Sequence, residues 1–294
     1  MDLADAVNVF GARFLAVVIE GAPFLLFGAL ASGLIAVLLE RDDLRRVVPR
    51  RTALGLIGGG LLGLVLPVGE CGALPVARRL LHKGVPAPAA IAFLLAAPVV
   101  NPIVLASTYA ALRHLAPEFV LLRAGIALIA ALVVGALFAL HPDSTTLLRM
   151  HALEPPDAQS GLRRVLRLAA VEFVSLGRYL LLGALLAGAL NVVITLGDLE
   201  AWATSPARSV LALEAWAFIR AGCSAADAYT ARELAGSFPL GPVLGFLALG
   251  PLLDARGVVM LLAVFRRRIA LALIGLPGLI ATLVALALAL NVSF

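Results

Sequence analysis

Charge is scarce in this 294-residue chain: Asp, Glu, Lys and Arg together make up 14% of it, against about 25% in an ordinary soluble domain. So few charges cannot coat a water-facing exterior, which excludes a soluble globular fold. Aromatic residues are few as well, at 6%, and there are only two cysteines. Two cysteines cannot build a disulfide framework. His82, His114, His141 and His151 sit in or near loops without metal-ligand spacing, so an imidazole metal site is not expected. No zinc motif, Walker phosphate loop or Ser-His arrangement is present, which argues against an enzyme and against a pump driven by nucleotide hydrolysis. No cofactor is implied.

Apolar residues are abundant. They form 62% of the chain, its mean hydropathy is +1.05, and they fall in runs near the roughly 20 residues that a membrane-spanning helix needs. The strands of a membrane barrel would alternate apolar and polar residues, whereas these runs are apolar throughout. The composition therefore points to an all-α polytopic membrane protein. The net charge of +5 does not imply a nucleic-acid partner, because the basic residues are clustered between apolar runs, as cytoplasmic loops are. Asp2 and Asp5 stand where a signal peptide would be positive, so no cleavable leader is expected.

The first run, from about Phe14 to Leu39, is interrupted by Glu20 and Pro23 and ends in the arginine-rich stretch Glu40 to Arg51. Positive charge there places the stretch in the cytoplasm and the N-terminus outside. Ala53 to Val68 is short for a span and stops at Leu-Pro-Val-Gly-Glu-Cys-Gly, and the next stretch, Ala73 to Lys83, carries Arg78, Arg79, His82 and Lys83 at its far end. A re-entrant hairpin keeps these charges in the cytoplasm. Pro86 to Leu112 then spans outward and Phe119 to Leu140 returns, giving a first repeat over residues 1–140. A polar cytoplasmic linker, 141–167, leads to a second repeat, 168–294, with a second short hairpin at Val210 to Gly236 and an arginine triplet, Arg266 to Arg268, between its last two spans. The segments assigned to the cytoplasm hold 15 of the 23 basic residues, and both termini are expected outside the cell membrane.

The two halves are similar in sequence. Leu25, Leu26, Gly28, Ala29, Leu30 and Gly33 recur 155 residues later, Cys71 and Gly84 recur 152 later, and Phe93, Leu94 and Pro98 recur 153 later. Arginine loops flank opposite ends of the equivalent first helices, so the copies are expected to be inverted, each with a re-entrant hairpin and a broken spanning helix. That architecture places a substrate near the membrane midplane between the repeats.

The break points supply the candidate site. Gly69 to Gly72 and Gly222 to Ser224 are the hairpin tips, where backbone must face protein or a water-filled cavity. Ser224 with Asp227 three residues on reads as a capping-box start, and Pro75 as a helix-start signal. Asn101 before Pro102 reads as an N-cap, with Asp254 at the equivalent position of the second half. Converging helix N-termini would favour an anionic or electron-rich cargo, with nearby carboxylates opposing that preference. Glu70, Asp227 and Asp254 are costly acids in apolar surroundings and read either as parts of an ion or proton pathway or as helix-end carboxylates. Glu70 could pair with an arginine, Asp254 with Arg256, and Arg220 with an anion or with Asp227. Proton coupling through Glu70 or Asp254 is an expectation of this reading. Cys71 and Cys223 are either small hydrophobes or thiol ligands for soft metals or metalloids. The candidate substrate-binding residues are thus Glu70, Cys71, Gly72, Asn101, Cys223, Ser224, Asp227 and Asp254, with no resident metal expected.

The run LPVGECGALPVARRLLHKGVPAPAAIAFLLAAPVVNPIVLAST, from Leu66 to Thr108, resembles the ArsP/YraQ-type permease family. There a cysteine-glycine turn precedes a proline-containing helix, Gly-Val-Pro, Ala-Phe-Leu-Leu and Asn-Pro. The resemblance implies a polytopic membrane permease, and the family's best-described activity is export of trivalent organoarsenicals. Gly69 and Glu70 stand where the family often has Cys-x before the turn cysteine, and Ser224 and Asp227 depart from the pattern in the second copy, so a local cysteine pair is absent. The expected function is secondary transport, exporting a small solute by alternating access. A passive channel, or a non-transporting membrane subunit of a larger complex, are the alternatives. The expected partners are the lipid bilayer and a small-molecule or ion substrate.

Overall fold

The computed structural model describes residues 2–39, 52–115, 117–140, 144–149 and 161–291. The arginine-rich stretch 40–51 and most of the expected linker, 141–143 and 150–160, lie outside them. The described residues form helices and no strand: α1 (Leu3–Leu38), α2 (Thr52–Val65), α3 (Glu70–His82), α4 (Ala87–Ala96), α5 (Pro102–Leu112), α6 (Phe119–Leu137), α7 (Leu162–Val193), α8 (Leu196–Trp202), α9 (Pro206–Arg220), α10 (Ser224–Leu234), α11 (Leu240–Leu249), α12 (Ala255–Val264) and α13 (Arg267–Asn291). One isolated β-bridge joins Leu148 to Phe265.

Four helices, α1, α6, α7 and α13, are long and apolar enough to cross a membrane. α2 has 14 residues and α9 has 15, so at about 1.5 Å per residue each falls short of the roughly 30 Å hydrocarbon layer. The exterior is lined by large apolar side chains such as Leu121, Val174, Ile129 and Leu283, while Arg78, Arg79, Arg123 and Arg256 are fully buried. This arrangement, apolar outside and charged inside, is what lipid as solvent requires.

Local chemistry explains the element ends. α1 starts at Asp2, whose carboxylate accepts from Leu3 N at 2.6 Å, and it runs unbroken through Glu20 and Pro23, where the sequence suggested an interruption. α3 ends in a Schellman motif: Lys83 is the C-cap, Gly84 has φ 83°, Gly84 N donates to Leu81 O and Val85 N to Leu80 O, each at 3.0 Å. α5 begins as expected, with Asn101 Oδ1 accepting from Val104 N at 3.0 Å and Pro102 in the first helical position. α12 begins at Asp254, whose Oδ1 accepts from Gly257 N. α7 starts at Leu162, inside the stretch read from sequence as linker.

The halves share a packing pattern. α2 packs on α4 and α6, and α4 on α6; likewise α9 packs on α11 and α13, and α11 on α13. Small residues let these helices approach closely, as membrane helices do. A Cβ on Gly59 would fall 2.2 Å from Ala89 O, and one on Gly245 would fall 2.8 Å from the Ala285 side chain. The first helices of the two halves, α1 and α7, lie against each other, with α3 packed on α1, α12 on α7 and α10 on α5.

Candidate functional site

The first of the expected tips falls at the turn Leu66 to Gly69, after which α3 starts at Glu70 with Gly69 as N-cap and no side-chain cap. Cys71 lies in the first turn of α3 and is buried. Pro75 stands at the sixth position of α3 and not in its opening turn, so it withholds the N–H that Cys71 O would otherwise receive. Gly72 serves packing: a Cβ there would fall 2.5 Å from Phe24 O, and a Cβ on Gly28 of α1 would fall 2.3 Å from Gly72 Cα.

At the second tip, α9 ends with Ala221 in the left-handed region at φ 50°. Cys223, not Ser224, is the N-cap of α10, and no side chain caps that helix. The capping-box reading of Ser224 and Asp227 is therefore corrected. Asp227 instead receives a hydrogen bond from Arg220 Nη1, and Ser224 Oγ is buried without a partner among the described residues. An ion pair satisfies a buried carboxylate more fully than one backbone N–H, which explains why the aspartate turns to arginine. A Cβ on Gly222 would fall 2.0 Å from Arg220 Nη1 and 2.7 Å from Asp227 Oδ1, so a side chain there would have to displace the ends of this ion pair.

The two tips are joined by Arg256, in the first turn of α12. Its Nη2 donates to Glu70 Oε2, to Asp254 Oδ2 at 2.7 Å and, at 3.4 Å, to Gly222 O. Glu70 and Asp254, the acids of the expected proton pathway, thus share one guanidinium. Glu70 Oε1 and Arg256 Nε are buried and have no partner among the described residues.

Beside them lies a cavity of about 50 Å³, lined by Glu70, Cys71, Leu95 and Pro98 of the first half and Pro251, Asp254, Arg256 and Met260 of the second. Its lining is mostly apolar, and its charged residues Glu70, Asp254 and Arg256 are bonded to one another. A smaller void of about 10 Å³ is bounded by Glu20, Cys71, Cys223, Glu70 and Arg256, so the two cysteines face one space. The N-termini of α3 and α12 meet at this site, each accompanied by its own acid, Glu70 or Asp254. Asn101 is not part of it. Both polar atoms of that side chain are spent on the α4–α5 break, Oδ1 as the cap and Nδ2 donating to Ala97 O at 2.9 Å. Among the described residues no group of three or more His, Cys, Asp and Glu side chains could hold a metal ion.

Two residues of this region were not singled out as site residues in the sequence. Glu20 of α1 accepts from Cys223 N at 2.9 Å, fixing the second tip to the first helix. Arg123 of α6 is fully buried and donates to Leu247 O at 3.1 Å, Thr108 Oγ1 at 2.7 Å and Ser224 O at 2.8 Å. Pro251 has no N–H to give Leu247 O, so the arginine supplies the missing donor at the helix break. The signal available beforehand was the charge itself: an acid or an arginine in the middle of an apolar run marks a functional or structural centre.

Residues 6–290 match a family described as predicted permease, the ArsP type. The chain belongs to this permease family. It is 35% identical over 266 residues to "UPF0718 protein YcgR" of Bacillus subtilis, covering 89% of this chain and 90% of that one. It is 32% identical over 275 residues to "Putative two-component membrane permease complex subunit" of Streptococcus mutans, covering 92% of this chain and 91% of that one. No solved structure matches it. Membership in a permease family, together with four span-length apolar helices, makes this an integral membrane protein and points to transport rather than to catalysis.

Proposed function

We propose that this permease is a secondary transporter that exports a small solute by alternating access, its two repeats inverted in the membrane and its hairpins re-entrant. The observation that carries the reading is the cavity at the start of α3 and the break before α12. Equivalent stretches of both halves, around Pro98 and around Pro251, line it, and the Glu70–Arg256 ion pair, which joins the halves, forms part of its wall. A binding place shared by two repeats can open to one side or the other as one repeat rocks against its mate. The mostly apolar lining with one bonded group of charges suits a small amphipathic cargo. The resemblance noted above puts organoarsenicals first among the classes to test, followed by other metalloids and anions. Glu70, Cys71, Asp254 and Arg256 are the residues proposed to meet the cargo, with Cys223 and Asp227 behind them. In this reading the polar linker lies in the cytoplasm of a cell whose inner membrane holds the protein, with both termini outside.

A panel of toxicity and uptake assays on cells with and without the protein tests this. It covers arsenicals, other metalloids, metal ions and anions, and is repeated with Cys71→Ser and Glu70→Gln. One class is expected to accumulate less when the protein is present, with the protection lost in the variants. Cargo-stimulated counterflow in liposomes separates a transporter from a channel. The name of the Streptococcus relative supports a second reading, a membrane subunit that works only with a partner. Co-purification of a stoichiometric partner, with no flux from the chain alone, would favour it.

A further inference from the structure

Another buried acid, Glu214, lies outside the site and takes no part in its ion pairs. It sits near the middle of α9, where that helix packs on α11 and α13, and is 5% exposed. Its Oε2 accepts from Thr282 Oγ1 of α13 at 2.8 Å, and its Oε1 has no partner among the described residues. Gly245 of α11 faces it, since a Cβ there would stand in ordinary contact, 3.7 Å, with Oε1.

Charged groups occur on the elements packed against α9, but none answers this acid. α11 has none. α8 has Glu200 and Asp198, the latter bonded to Thr195. α12 has Arg256, held by Glu70 and Asp254. On α13, Arg267 and Arg268 lie in the first turn, about 21 Å along the helix from Thr282. α7 carries Arg163, Arg164, Arg167, Glu172 and Arg178, and none of these bonds to Glu214. On α9 itself Arg208 is bonded to Thr204 and Arg220 is paired with Asp227. Burial and the Thr282 hydroxyl are what act on the Glu214 carboxyl. A bare carboxylate without a cation is expensive in such surroundings.

The hydroxyl of Thr282 also lies 3.0 Å from Gly278 O, and one hydroxyl has one proton to give. With the acid protonated, Glu214 donates to Thr282 Oγ1 and the hydroxyl donates to Gly278 O. With the acid ionised, the hydroxyl turns its proton to Glu214 Oε2. Both states use the same heavy-atom positions, so a proton can come and go without breaking an ion pair. A hard metal cation would need about six oxygens, and among the described residues no group of three or more His, Cys, Asp and Glu side chains is gathered here to hold one. Packing of the repeat does not demand the acid. At the repeat offsets of 152 to 155, the first-half counterparts of Glu214 and Thr282 fall in 59–62 and 127–130, which hold no titratable residue.

We propose that Glu214 is a proton-binding site, separate from the cavity lined by Glu70 and Arg256, that takes a proton from water and returns it while Thr282 switches its hydroxyl between Gly278 O and the carboxyl. The proposal goes beyond the transport reading and needs no cargo for its test, so the two can fail independently.

Infrared difference spectra of the full chain in phosphatidylethanolamine–phosphatidylglycerol vesicles, taken between mildly acidic and mildly alkaline buffer, test the site. The carbonyl stretch of a protonated carboxylic acid is expected at low pH. It should be lost in Glu214→Gln, which keeps the shape of the side chain, and displaced in frequency and in titration midpoint in Thr282→Val. A Glu214→Gln protein that elutes as wild type in size-exclusion chromatography and gives a superimposable difference spectrum would overturn the proposal. So would a Glu214 band that does not change with pH.

Discussion

Arg256 and Glu70 are partners across the two halves of the chain: the guanidinium reaches a carboxylate 186 residues earlier in the sequence. Both side chains are almost fully buried, at 2% and 11% exposure. Removing one partner of a buried ion pair leaves an uncompensated charge and costs about 3–5 kcal/mol. Arg256→Gln is therefore expected to lower the thermal stability of the detergent-solubilised protein by an amount of that order, because both Glu70 and Asp254 lose their cation. Combining Arg256→Gln with Glu70→Gln should recover part of the loss, giving a coupling energy above about 0.5 kcal/mol in a double-mutant cycle. Purely additive losses would show that the pair does not form.

Arg123 and Pro251 should also be coupled, through the carbonyl of Leu247. Arg123→Met leaves that oxygen and Ser224 O without their donor, and each buried unsatisfied group costs about 1–3 kcal/mol. Pro251→Ala restores a backbone N–H one turn beyond Leu247. In that background Arg123→Met is expected to cost less than in wild type, read as a smaller drop in unfolding temperature. An equal drop in both backgrounds would mean that the arginine is not replacing the missing helix bond.

The parts of this architecture that were legible in the sequence are those set by local chemistry. Asn101 and Asp254 cap helices just after a proline because proline ends one helix and an amide or carboxylate starts the next, within a few residues. The pair Asp254–Arg256 is equally local. Of the two partners that the sequence offers Arg220, an anion and Asp227, the structure shows Asp227. What could not be read depends on folding at a distance. Glu20 meets Cys223 across 203 residues, and Arg123 meets Ser224 and Leu247 across 101 and 124. Their acceptors or donors are backbone groups, which every residue carries, so no side-chain pattern announces them. The unbroken course of α1 through Pro23 was hidden for a related reason: in a membrane helix the neighbours tolerate a proline that would break a helix in water.

Glycines should divide by what their missing side chain touches. Gly28 lies against Gly72 with no space for a Cβ, whereas Gly58 has nothing within 4 Å. Gly28→Ala is expected to force α1 from α3 and reduce the yield of folded protein in fluorescence-detected size-exclusion chromatography. Gly58→Ala should be neutral or stabilising by up to about 1 kcal/mol. Similar losses at both positions would contradict the packing of α1 on α3.

The chain holds two cysteines and no others, so its native thiols report directly on whether the tips of the two halves meet. The decisive measurement is reaction of the reconstituted protein with a short bifunctional thiosulfonate, followed by mass spectrometry of the cross-linked peptides. Because Cys71 and Cys223 border one small void, an intramolecular cross-link between them is expected, and it should be absent from Cys71→Ser and Cys223→Ser. Efficient single labelling of each thiol from opposite faces of the membrane, with no cross-link formed, would contradict a shared site.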